Sequence, residues 1–168
     1  MLDPKQLDAI KQLIQKHWGF SSLRPFQEDA MRAVLDRRDS LLVLPTGGGK
    51  SLCYQAPAVF QGGTTVVISP LIALMKDQVD ALQSCGIPAV QLDSSLSAAE
   101  RFAHAQDVRD GAVRLLFVSP ERLMELVHRR PGATFSASGV LRLEINESER
   151  ERLLEIARDV LLAVGAVD

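Results

Sequence analysis

The residues whose types and spacing specify a chemistry most narrowly run from Leu44 to Ser51: Leu-Pro-Thr-Gly-Gly-Gly-Lys-Ser. Gly47, Gly48 and Gly49 carry no Cβ, so the backbone can curl tightly and turn successive N–H groups into one hollow. A helix starting at that hollow adds unpaired amides and the positive end of its dipole, and both favour an anion. Lys50 brings a full charge within reach of β- and γ-phosphates, and the Ser51 hydroxyl is placed to ligate Mg²⁺. The chemistry these residues describe is the cradling of a triphosphate with its metal. The strict phosphate-loop spacing asks for glycine six residues before Lys50; Leu44 stands there instead, followed by Pro45-Thr46.

Such a loop works only between a strand and a helix. The apolar run Ser40–Leu44 reads as a buried strand leading in, and Ser51 to Ala56 can open the helix leading out. Upstream, Asp3-Pro4 is an N-cap with proline at the first helical position. Leu7, Ile10, Ile14 and Trp18 then recur at helical spacing until Gly19. Pro25 predicts the start of a second helix reaching about Arg37. Downstream, Thr64–Ser69 is β-branched and apolar and reads as a strand. Pro70 starts a helix with Leu71, Leu74, Met75, Val79 and Leu82 on one face, ended by Gly86. Pro88–Leu92 is a further strand, and Ser97 with Glu100 forms a capping box for a helix over about 98–110. Arg114–Val118 is a fourth strand, and Ser119-Pro120 opens another helix. Short buried strands alternating with helices predict an α/β fold with a mostly parallel sheet covered on both faces. Ligands of such folds sit at the carboxyl ends of the strands, where the glycine loop, Ser69-Pro70 and Ser119-Pro120 all fall.

The 168 residues suit one domain with a substantial core. With 19 basic and 21 acidic residues the net charge is −2, so no global basic field recruits nucleic acid, and any such binding must come from a local patch. Cys53 and Cys85 are too few and too far apart for a metal cluster or a disulfide framework, so no structural metal is expected and the thiols fit the reducing cytoplasm. Asp3, Lys5, Asp8, Lys11 and Lys16 break up any apolar leader, and no apolar run approaches the roughly 20 residues of a membrane span. A cytoplasmic protein without a membrane partner is the expectation.

Four motifs in order resemble the amino-terminal, RecA-like motor domain of RecQ-type ATP-dependent DNA helicases, within superfamily 2. Gly19-Phe20 followed by Leu23-Arg24-Pro25-Phe26-Gln27 is similar to the adenine-reading motif. Leu44 to Gln55 is similar to an extended Walker A segment, its Pro45-Thr46 variant being one that helicases share. Val67 to Val79 is similar to motif Ia, and Val118 to Leu123 to motif Ib. The resemblance spans about residues 1–128, a partial ATP-binding domain with an amino-terminal helical extension. Residues 129–168 form a divergent tail. It implies ATP and Mg²⁺ held by Thr46, Gly47, Gly48, Gly49, Lys50 and Ser51, with Lys50 the one catalytic candidate. Gln27 would pair with the N6 and N7 edge of adenine, beside Arg24 and Phe20. Ser69, Pro70, Lys76, Ser119 and Arg122 would meet the phosphates of single-stranded DNA, weakly and without base specificity.

The tail departs from the family. The resemblance calls for an apolar strand ending in Asp-Glu, which would hold the metal shell and activate water, and no Asp-Glu pair occurs anywhere in the chain. Val140–Ile145 reads as a strand interrupted by Arg142, with Glu144 and Glu147 of the wrong kind and order. Leu153, Ile156, Ala157, Val160, Leu161 and Val164 stripe a final amphipathic helix. The resemblance also calls for a second motor domain, which these 168 residues do not include. The expectation is a truncated helicase fragment that binds ATP and single-stranded DNA but hydrolyses ATP very weakly or not at all and cannot unwind DNA alone. The alternative is a non-catalytic nucleotide-binding module or the vestige of a longer gene.

Overall fold

Alternation of helical periodicity with short β-branched runs produces the architecture it predicts. The computed structural model describes residues 4–123 apart from Asp39 and Thr46. The expectations for 140–145, for the closing helix, for Glu144 and Glu147 and for the boundary at residue 128 lie outside the described residues. The elements run α1 (Pro4–Trp18), α2 (Gln27–Leu35), α3 (Lys50–Gln61), β1 (Thr65–Ile68), α4 (Ile72–Ser84), β2 (Ala89–Leu92), α5 (Ala98–Arg109) and β3 (Leu115–Val118). The three strands form a parallel sheet in the order β1-β3-β2, with Val66 and Val90 both level with Leu116. The α/β class is therefore as expected.

β3 lies in the middle because it is the strand that can be apolar on both faces. Leu115, Leu116, Phe117 and Val118 are all buried, each contributing on the order of 1.5–3 kcal/mol. Leu115, Phe117 and Ala89 face Met75, Val79 and Leu82 of α4 and Ala58 of α3. Leu116, Val118, Val90 and Leu92 face Val108 and the loops on the other side. A second apolar cluster joins α1, α2 and α3 through Leu7, Ile10, Ile14, Met31, Leu52 and Ala56. α3 thus belongs to two cores at once, which makes it the firmest part of the nucleotide region.

The helix ends follow local rules. α5 starts on Ser97, whose hydroxyl accepts from the Glu100 amide, while the Glu100 carboxylate accepts from the Ser97 amide at 2.8 Å. α4 ends as Gly86 turns to φ 72° and the Ile87 amide donates to Leu82 at 2.9 Å. α2 begins two residues later than Pro25 implies. The Arg24 amide is held by the Gln27 side chain, and Phe26 adopts φ 69°, so 24–27 is a turn and the helix follows it. It also stops at Leu35 rather than Arg37, because Arg37 (φ 57°) and Arg38 donate back to Val34 and Ala33 and close the helix.

One expected element does not form. Residues 40–45 make no described strand, and Leu41 and Val43 are 92% and 82% exposed. A run of four residues becomes a buried strand only when neighbours accept its backbone bonds and cover both faces. β1, β2 and β3 pair with one another and leave this run without a described partner.

Candidate functional site

The glycine loop is shaped as its composition requires. Gly47 and Gly49 have φ 78° and 80°, and the Gly48 amide donates to the Pro45 carbonyl at 2.9 Å. Gly49 is the residue before the first turn of α3, with no side chain capping that turn. The leading amides of α3 are therefore left facing the hollow. A Cβ on Gly49 would collide with Nε2 of Gln27, so this glycine answers both to its dihedral and to a neighbour. Lys50 folds over the loop, its Nζ donating to the Leu44 and Pro45 carbonyls at 2.6 and 3.0 Å. Thr46 lies outside the described residues.

The adenine-motif residues meet this loop directly. Gln27 is 3% exposed; its Oε1 accepts from the Arg24 amide at 2.8 Å and its Nε2 donates to the Gly49 carbonyl at 3.0 Å. The Arg24 guanidinium donates to the Gly47 carbonyl. Gln27 therefore ties the 19–27 loop to the phosphate loop, leaving one donor and one lone pair on its carboxamide for a ligand. Phe20, Ser22, Arg24, Gln27, Lys50 and Ser51 line a cleft of about 800 Å³, together with Leu74 of α4. That volume lies within the usual range for small-molecule sites. Phe20 is half-exposed at its rim.

Parallel pairing brings the other candidates to the same edge of the sheet. The Ser69 amide donates to Val118, and the Ser119 amide donates to Leu92. The Ser69 hydroxyl accepts from the Leu71 amide at 3.4 Å. Ser119 is 2% exposed, and its hydroxyl accepts from the Arg122 amide at 3.3 Å, capping the helical turn at 120–123. Ser119 thus acts as a helix cap with little surface of its own, while Ser69 and Pro70 remain more open. Lys76 pairs with Asp80 at 3.0 Å, and that carboxylate holds its ammonium pKa above the ordinary lysine value. Arg122 is half-buried. The cationic candidates at the strand ends are thus a half-buried Arg122 and a Lys76 already paired with Asp80.

Sequence reasoning passes over several residues that join this region. Asp93 follows β2 on the same edge and is fully buried, with Oδ1 taken by the Ser95 amide at 2.8 Å and Oδ2 without a hydrogen-bond partner among the described residues. Gln55 sits 6% exposed between Leu52 and Ala56 and donates to Gln78 of α4 at 2.8 Å. A glutamine on the apolar stripe of a helix was the readable signal for it. Cys53 is buried behind the loop; burial raises its thiol pKa and keeps it protonated. Among the described residues no group of three His, Cys, Asp or Glu side chains could hold a metal ion, and no helix is long and apolar enough to cross a membrane.

Comparison with known proteins decides the family. The model of the DEAD/DEAH box helicases matches residues 24–143, most of the chain. The chain belongs to the DEAD/DEAH box helicases. An ATP-dependent DNA helicase RecQ of Bacillus subtilis (strain 168) is 43% identical over 121 residues, covering 71% of this chain and 20% of the relative. Its namesake from Pasteurella multocida (strain Pm70) is 49% identical over 107 residues, or 64% and 17% of the two chains. The ATP-dependent DNA helicase Q1 of Mus musculus is 40% identical over 116 residues, or 68% and 18%. The chain spans about a fifth of the length of these curated relatives. The helicase match begins at Arg24, so it takes in the loop of Arg24 and Gln27, the glycine loop and every strand of the sheet.

Proposed function

We propose that this chain is the nucleotide-binding part of a RecQ-type ATP-dependent DNA helicase. It takes ATP in the cleft between the 19–27 loop and the start of α3. The observation that carries this reading is Gly49. It opens α3 in a left-handed conformation, and its carbonyl is held by Gln27, so both halves of the cleft converge on one residue. The amides of Gly47 and Gly49 and those of the first turn of α3 receive the phosphates, and the Gly48 amide joins them only by leaving the Pro45 carbonyl. The Lys50 ammonium leaves its loop carbonyls to meet the β- and γ-oxygens. Phe20 and Arg24 flank the base, and the remaining donor and acceptor of Gln27 read its edge.

The donor set fits Mg²⁺ in one way. Ser51 supplies a hydroxyl at the helix start, and the other ligands come from phosphate and water, as is usual for this ion. Bound there, the metal would neutralise the triphosphate. Single-stranded DNA lies across the strand ends, its phosphates against Ser69, Pro70 and the start of α4, with charge from Lys76 and Arg122 and the cap of Ser119 behind them. With Lys76 paired and the chain net acidic, few phosphates are neutralised, so this binding is weak and only shallowly salt-dependent. Hydrolysis is the missing step. The chain holds no Asp-Glu pair, so it binds ATP with turnover absent or very slow and does not unwind DNA by itself.

Titration calorimetry with magnesium-ATP tests the reading. Heat is expected from the whole chain and is expected to vanish in Lys50→Ala. Absence of heat from the folded chain would remove the proposal. Vigorous DNA-stimulated hydrolysis that Lys50→Ala abolishes would instead overturn the claim that the chain lacks a working metal-and-water site.

A further inference from the structure

α3 opens at the phosphate loop, while α4 opens at the strand end that carries Ser69 and Pro70. Between them, a single oxygen receives two donors. Oε1 of Gln78, on α4, accepts from Gln55 Nε2 at 2.8 Å and from the Tyr54 hydroxyl at 3.4 Å. Both donors sit on consecutive residues of α3, within two turns of Ser51. Gln55 is buried. Tyr54 is half-buried, and burial raises its phenol pKa against the opposing effect of Ser51 and Gln55 beside it.

Tyr54 and Ala58 of α3 and Met75, Val79 and Leu82 of α4 also share one apolar cluster with the sheet. Apolar contact is non-directional and tolerates small slides. A carboxamide oxygen with both lone pairs engaged does not, because any relative shift strips a partner from a buried donor. A small cleft of about 220 Å³ runs alongside, lined by Gly49, Ser51, Gln55, Gln78 and Cys85, so the bridge borders the space next to the phosphate loop.

We propose that Gln78 is a positioning residue that couples the two ligands, carrying movement of the first turn of α3 to the first turn of α4; this rests on the nucleotide and DNA sites proposed above. When phosphates draw the amides of Lys50 and Ser51 inward, Tyr54 and Gln55 move with them. Gln78 keeps its partners only if α4 follows. α4 carries Lys76 and begins just after the Ser69–Leu71 turn, so its movement resets the groups that meet the DNA phosphates. Coupling through such a chain of packed and hydrogen-bonded groups is reciprocal: nucleotide changes DNA affinity by the same factor by which DNA changes nucleotide affinity.

The test uses the full chain and a fluorescein-labelled oligothymidylate. Its dissociation constant is read by anisotropy with and without a non-hydrolysable ATP analogue and Mg²⁺. In the wild type the two constants are expected to differ by about five-fold or more. Gln78→Leu, which keeps size and loses the acceptor, should reduce that ratio to about one, while its nucleotide affinity by calorimetry stays within about two-fold of wild type. Gln78→Glu retains the acceptor oxygen and should keep the ratio; Gln55→Leu should lower it. A Gln78→Leu chain that retains the full ratio, or a wild type that binds both ligands independently, overturns the coupling alone. A wild type that binds no nucleotide overturns the nucleotide site and the coupling with it. A general packing defect would weaken both affinities in Gln78→Leu and Gln78→Glu alike, and that pattern also overturns the proposal.

Discussion

Leu41-Leu42-Val43-Leu44 and Leu115-Leu116-Phe117-Val118 are nearly the same string. The second is the central strand of the sheet, with every side chain buried, whereas the first leaves Leu41 and Val43 almost fully exposed. The difference lies in the partners. β3 has β1 on one edge and β2 on the other, α4 over one face and the α5 side over the other. The earlier run has none of these among the described residues. Apolar sequence proposes a strand, and the ladder on both edges makes it one. The consequence for the site is an uneven anchorage. The α3 side of the phosphate loop rests on two cores, while the side that enters it is held by Gln27, Arg24 and Lys50 bonding to loop carbonyls.

The widest gap should appear in stability. Phe117→Ala removes a ring that is 1% exposed at the centre of the sheet and should cost about 3–5 kcal/mol in urea unfolding. Leu41→Ala, on the matching string, should change stability by less than about 0.5 kcal/mol, because its side chain has no core to leave. If the two substitutions cost similar amounts, the entering run is packed in solution and the comparison fails.

The loop itself offers a smaller and sharper contrast. Gly47 and Gly49 share the same left-handed conformation, but a Cβ on Gly47 meets nothing within 4 Å while one on Gly49 meets Gln27. Gly47→Ala should therefore cost about 1 kcal/mol, from the dihedral alone. Gly49→Ala should cost about 1–3 kcal/mol, because it must also displace a buried carboxamide. Magnesium-ATP affinity measured by calorimetry should fall further for Gly49→Ala. Equal losses would mean that the Gln27 tie contributes nothing to the shape of the loop.

These contrasts also explain what could be read from the chain in advance. Several local signals are legible. Ser97 and Glu100 form their capping box, Gly86 ends α4, and three of the four expected strands lie within a residue or two of where their composition puts them. The start of α2 was misjudged because Pro25 is a common first helical residue, whereas here a side chain three residues on claims the Arg24 amide and turns the chain first. The entering strand was misjudged because pairing is decided by distant segments. In the site, the glycine loop was visible as a pattern. The inward-facing role of Gln27 was not, since an exposed base-reading glutamine and a buried loop tie have the same sequence. Gln78 is hidden for a related reason: a polar residue in an amphipathic helix shows no sign of meeting two donors on another helix.

On the α5 side of the sheet, support comes from a cap rather than from ligand-loop ties. Ser97→Ala removes the hydroxyl that accepts from the Glu100 amide and should cost about 1 kcal/mol. Because α5 stands away from the glycine loop, nucleotide affinity should be untouched. A drop in that affinity would mean that the two sides of the sheet are not energetically separate.

The smallest effect belongs to the outermost support of the loop. Glu28 stands on α2 next to Gln27, and it joins Arg32 at 2.9 Å and Lys11 of α1 at 3.3 Å. The Arg32 bond is the main cause that holds its carboxyl pKa below the ordinary 4.5, with Lys11 adding to it. A carboxylate whose pKa is lowered by folding contributes stability that is fully present above its unfolded value and is lost as the pH falls through the folded one. The pair is well exposed and screened, so the contribution is at most about 1 kcal/mol. Unfolding by urea at a series of pH values from about 6 down to about 3 should show it. The wild type should lose slightly more stability across that interval than Glu28→Gln, which has no charge to lose, and the difference should shrink in high salt. If the two curves are parallel, α1 and α2 are joined by the Leu7, Ile10, Ile14 and Met31 contacts alone, and Gln27 is held in register by packing rather than by charge.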